Sequence, residues 1–86
     1  MIKAWSDLAW EDYLYWQKQD KRTIKKINDL IKNIDRNGYN CTGQVEPLKG
    51  DLSGYYSVHI DQTNRIVFKI DNNILYIAQC RTHYNK

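Results

Sequence analysis

Apolar residues recur along this chain with two different periods, and the change from one to the other divides it. Ile24, Ile27, Leu30, Ile31 and Ile34 follow the 3.6-residue period of an amphipathic helix, with Asp20 placed to cap its start and Asn37-Gly38 to stop it. Before it, Ser6 is placed to cap an earlier helix, and Asp7, Glu11 and Asp12 carry the negative charge that suits a helix start. That helix is expected to run to about Gln17, with Leu8, Ala9, Tyr13 and Trp16 on one side and Trp10 and Leu14 widening it.

After Gly54 the period falls to two, the signature of half-buried strands. Tyr56, Val58 and Ile60 alternate with Tyr55, Ser57 and His59, and Ile66, Phe68 and Ile70 alternate with Arg65, Val67 and Lys69. In the last run strict alternation sends Ile74, Tyr76, Ala78 and Cys80 one way and Gln79, Arg81 and His83 the other. Asp61-Gln-Thr-Asn64 and Asp71-Asn-Asn73 join the runs with residues that bond to their own backbone, so the three are expected to pair as a meander. Ile2-Lys-Ala-Trp5 is short and weakly alternating, which fits an edge strand. Between the helices and the meander, Pro47 keeps Glu46 extended while Gly50 and Gly54 punctuate the backbone, displaying Glu46 and Lys49 on a loop.

At 86 residues the chain is the size of one domain, residues 1–86, with little surplus core. Its 3 tryptophans, 7 tyrosines and single phenylalanine must supply much of the buried area. Cys41 and Cys80 form no CxxC and read as free thiols. No metal-ligand spacing is present, no cofactor is implied, and no apolar run reaches the length of a membrane span, which points to a cytoplasmic protein. The net charge of +3 is modest, so a polyanionic partner has to be argued from where the charges lie. Arg22, Lys25, Lys26, Lys32 and Arg36 fall on the polar side of the second helix, where a solvated face explains them best. The sheet face that carries Arg65, Lys69, Arg81, His59 and His83 is the stronger candidate for a polyanion.

RNA can be cut without a metal when the neighbouring 2′-hydroxyl is the nucleophile. A base takes its proton, an acid protonates the departing 5′-oxygen, and cations stabilise the charge that builds at phosphorus. Glu46 suits the base, His83 the acid, and Arg65 with Arg81 or Lys49 the clamp, because a planar guanidinium stays charged and engages two oxygens. Arg65 opens one strand while Arg81 and His83 close the next, so an antiparallel pairing brings those ends together. Tyr84 falls on the apolar face by strict alternation; a bend there would free its ring to stack on a base.

At these residues the chain resembles the YoeB-type toxins of the RelE-like superfamily. The likeness runs through Trp5-Ser6, Asp12-Tyr-Leu-Tyr-Trp16, Asp20-Lys-Arg22, Lys25-Lys-Ile-Asn28, Glu46-Pro-Leu-Lys49, Leu52-Ser-Gly54, Arg65-Ile-Val67 and Cys80-Arg-Thr-His-Tyr84. The resemblance implies a compact α+β fold, two N-terminal helices packed on a twisted antiparallel sheet. It implies the toxin of a type II toxin–antitoxin pair, an mRNA endoribonuclease acting in the decoding site of the ribosome. A YefM-type antitoxin would silence it, and a homodimer is suggested. Glu46, Arg65, His83 and Tyr84 match the family's catalytic set, with Lys49 and Arg81 as cationic neighbours. The chain departs from the family at Val58-His59, where two arginines are common, and at Asn64, where a histidine is. Phosphate clamping is therefore expected to be weaker at His59 or moved to Lys69, since an unperturbed imidazole, pKa ~6.5, is mostly neutral at pH 7. The rival expectation is the same fold without catalysis, as in the ParE-like branch that acts on DNA gyrase, or a ribosome-binding protein.

Overall fold

A computed structural model describes residues 1–82, and within them the order of elements is strand, two helices, four strands. Strand β1 spans Ile2–Trp5, helix α1 Asp7–Gln19, helix α2 Lys21–Asn37, strand β2 Glu46–Pro47, strand β3 Tyr56–His59, strand β4 Arg65–Asp71 and strand β5 Ile74–Gln79. Both helix caps stand where the residues put them. Ser6 Oγ accepts from Ala9 N at 3.0 Å, Asp20 Oδ1 accepts from Arg22 N at 3.0 Å, and Gly38 at φ 60° ends α2 in the left-handed region. Helix α1 runs two residues past the expected Gln17 before Asp20 turns the chain into α2.

The five strands lie in the order β1-β5-β4-β3-β2. The expected antiparallel meander is there in β3, β4 and β5, and β1 is the edge strand, but it runs parallel to β5, which makes the sheet mixed. Both helices and strands β2, β3 and β4 lie between β1 and β5 in the chain, a connection long enough for the parallel pairing that a tight turn cannot make. Ile27, Leu30, Ile31 and Ile34 of α2 pack with Val58, Ile66, Phe68, Leu75 and Ile77 to form the core.

Strict alternation fails in β5. Leu75 and Ile77 are the core residues, while Ile74, Tyr76 and Ala78 point away from it. The register then slips: Phe68 faces Ile77 but Val67 faces Gln79, leaving Ala78 as the extra residue of a β-bulge. The bulge reverses the parity, so Cys80 returns to the core, fully buried. Ser6 secures the bulge by donating its hydroxyl to the Ala78 carbonyl at 2.7 Å.

The apolar side of α1 also differs from expectation. Ala9 is buried and Tyr13 and Trp16 pack against the core, but Leu8, Trp10 and Leu14 are exposed. The residue that takes the second buried position is Asp12, which is 6% exposed. It is a structural acceptor, not a helix-start charge.

Candidate functional site

The face of the sheet turned away from the helices carries the predicted polar residues. Cross-strand pairing puts Glu46, Ser57, Val67 and Gln79 in one row and His59 beside Arg65 in the next. Glu46 arrives on β2, a two-residue strand held to β3, and not on a free loop. The loop before it is drawn in by Gly43, whose carbonyl accepts from His59 N at 2.8 Å. At φ +102°, a Cβ on Gly43 would come within 3.1 Å of Val58 and 3.2 Å of Leu30, so only glycine fits that approach.

Arg65 is 8% exposed. The turn between β3 and β4 holds it, with Nη1 donating to the carbonyls of Asp61 at 2.9 Å and Asn64 at 3.2 Å. Asp61 in turn accepts from Thr63 N at 2.8 Å and Asn64 N at 2.6 Å. Burial alone would raise the Asp61 carboxyl, but the hydrogen bonds from Asn64 and Thr63 outweigh it and hold the pKa below the usual value. Among the described residues, Arg65 Nε and Ser57 Oγ on this face are buried without a hydrogen-bond partner. Leaving a buried donor unpaired costs about 1–3 kcal/mol, and functional sites are where such atoms are expected.

The predicted meeting of the two strand ends is present. Arg65 N donates to Thr82 O at 3.1 Å, and Thr82 N donates to Asn64 Oδ1 at 2.5 Å. The segment that leads to His83 and Tyr84 is thus fastened beside Arg65; His83 and Tyr84 themselves lie outside the described residues. His59 Nε2 stands 3.4 Å from Glu46 Oε1, so it neighbours the predicted base as well as the cations. Lys49 is exposed just beyond β2.

The other two cations depart from a simple charged stripe. Lys69 Nζ sits between the Tyr55 and Tyr76 rings, 5.1 and 5.4 Å from their centroids, further along β4 from Arg65. Arg81 is drawn to α1, its guanidinium carbon 3.7 Å from the Tyr15 ring centroid.

Sequence reasoning missed what holds the end of β5. Asp12 Oδ2 accepts from Cys80 N at 3.1 Å, and Trp16 Nε1 donates to Cys80 O at 2.8 Å. Cys80 Sγ donates to Ala9 O at 3.6 Å. All three partners lie on one side of α1, at the spacing i, i+3, i+7. Burial pushes the Asp12 carboxyl above its ordinary value, against the hydrogen bond from Cys80 and the charge of Arg81. Burial, with the Asp12 charge behind it, pushes the Cys80 thiol up to about 12, so it is a packing group and not a nucleophile.

The two helices on a five-stranded sheet are a fold shared with solved toxin structures. A structure described as a YoeB/ParE toxin from Agrobacterium tumefaciens matches with a TM-score of 0.93 at 42% identity, over 98% of this chain and 100% of that one. A YoeB-YefM complex from Staphylococcus aureus matches with a TM-score of 0.89 at 45% identity, over 98% of each chain, and a YoeB dimer from the same organism matches equally well at 46%. Toxin YoeB of Escherichia coli strain K12 is 49% identical over 98% of this chain and 100% of its own length. The model of the YoeB-like toxins of bacterial type II toxin–antitoxin systems matches residues 5–84, and the chain belongs to that family.

Proposed function

We propose that this protein is a ribosome-dependent mRNA endoribonuclease that inhibits translation by cutting in the decoding site through attack of the 2′-hydroxyl. The observation that carries the reading is the convergence of Glu46 and the buried Arg65 at the end of the sheet where the chain enters Thr82. Glu46 takes the 2′-proton, and its exposed carboxylate is reachable by a strand of RNA. Arg65 supplies a fixed positive charge as negative charge builds on the phosphate, its guanidinium held beforehand by its turn contacts. His83 supplies the proton to the leaving oxygen and Tyr84 stacks on a base. Lys49, Arg81, His59 and Lys69 hold the substrate backbone. The mechanism asks for no metal and no cofactor.

The natural inhibitor in this reading is a YefM-like antitoxin, since the similar S. aureus protein is found with YefM, and a homodimer follows from the S. aureus dimer in the same way. An acidic partner segment that folds over Arg65 and Arg81 would silence the site by charge and exclusion. Cleavage of a defined mRNA on programmed ribosomes, by wild type, Glu46→Gln and His83→Ala, tests the proposal. Decoding-site cuts with cyclic or 3′-phosphate ends, reduced at least a hundredfold in both variants, are expected. Gyrase or ribosome binding with no cleavage by the wild type would replace the nuclease with a binding toxin.

A further inference from the structure

Resting on that reading, we propose that the cleft flanked by Tyr55 and Tyr76 is a second RNA subsite, which takes a nucleobase of the strand next to the one being cut. The cleft is about 320 Å³ and is lined by Ala4, Trp5, Ser6, Tyr55, Tyr76, Ile77 and Ala78. Three sequence features make it. Ala4 pairs with Tyr76 across the parallel ladder and Ala78 follows on the same strand, so two one-carbon side chains leave the floor low beside a tall ring. The bulge at Ala78 bends the strand there. Tyr55, one residue before β3, raises the second aromatic wall.

Lys69 gives the cleft its sign. Its ammonium lies between the two rings, 5.1 and 5.4 Å from their centroids, which sets a positive charge against both aromatic walls. Aromatic faces that accept a base of any identity, with a cation for the adjoining phosphate, are the parts from which single-strand binding sites are built. The position also suits one continuous strand. Lys69 and Arg65 lie on the same face of β4 four residues apart, about 13 Å at the rise of a strand, a distance a few nucleotides of RNA can bridge. No part of the cleft overlaps Glu46 or Arg65, so occupancy and chemistry can be read separately.

The test uses a hexanucleotide of 2′-O-methyl adenosine, which lacks the 2′-hydroxyl nucleophile and stays intact whether or not the protein is a nuclease. It is titrated into the whole protein while the aromatic resonances of Tyr55 and Tyr76 are followed by NMR. Saturable shifts of both rings are expected, with binding weakened about tenfold or more in Tyr76→Leu, retained in Tyr76→Phe, and with a shallower salt dependence in Lys69→Gln. Equal binding by wild type and Tyr76→Leu, or no shift up to millimolar hexamer, overturns the subsite. Shifts produced by an acidic peptide but not by the RNA also overturn it, assigning the cleft to a protein partner. A parallel cleavage assay on programmed ribosomes separates the two readings: wild type that binds the hexamer but cuts nothing removes the nuclease and leaves the subsite standing.

Discussion

The two helices, adjacent in sequence and packed on the same sheet, are built on different principles. Helix α2 buries Ile27, Leu30, Ile31 and Ile34 and exposes its cations, so its buried residues are all apolar, with Asp35 adding ion pairs to the N-terminus and Lys3. Helix α1 buries only Ala9 and Asp12 and leaves Leu8, Trp10 and Leu14 exposed. Beside the packing of Tyr13 and Trp16 on the core and the hydrogen bond from Tyr13 Oη to Asn28, it makes a set of directed bonds to one residue, Cys80, whose N–H, carbonyl and thiol are all met by α1. Apolar burial is indifferent to small shifts, whereas hydrogen bonds fix a position. Thus α2 stabilises the domain, and α1 sets where the end of β5 lies, two residues short of Thr82 and the site.

The largest expected effect tests the α2 half of that contrast. Ile34→Ala should lower stability by ~2–5 kcal/mol through transfer and cavity terms, read as a fall in the urea midpoint with little change in slope. Next is Asp12→Ala, which strands the buried Cys80 N–H at about 1–3 kcal/mol. Amide exchange at Cys80 and Thr82 should quicken more than in the α2 core; uniform exchange across the domain would mean that α1 is not a local clasp. The smallest effect is electrostatic. The folded pKa of Asp12 is raised above its ordinary 3.8, so the native state keeps a proton that the unfolded chain has released. Its contribution therefore declines as pH rises through that interval and levels off above the folded pKa. Asp12→Asn keeps an acceptor for Cys80 and removes the titration. The difference in urea midpoint between wild type and variant should shift in the variant's favour from pH 3.5 to 7, and a pH-independent difference would show that the carboxyl is not desolvated.

How much was legible follows from the same contrast. Helix α2 was read nearly residue by residue because apolar burial leaves a period in the sequence. Its caps, those of α1, and the turns at Asp61 and Asn72-Asn73 were read from local chemistry, since those contacts span three residues or fewer. The meeting of Arg65 with the end of β5 followed from antiparallel pairing alone. The bulge at Ala78 was not legible, because one extra residue in a ladder leaves no mark on composition, and without it the faces of β5 are reversed. Asp12 was read as one of the charges that suit a helix start; nothing nearby in sequence announces a partner 68 residues away.

By itself, then, the sequence determined the periods, the caps, the turn residues and the inventory of carboxylate, imidazole and guanidinium groups, because each depends on neighbours within a turn of chain. The tertiary structure decided the parallel placement of β1, the parity of β5, the burial of Asp12, the stacking of Arg81 on Tyr15 and the seat of Lys69 between Tyr55 and Tyr76. Those are contacts between residues far apart in the chain, fixed by which faces meet once the core has closed.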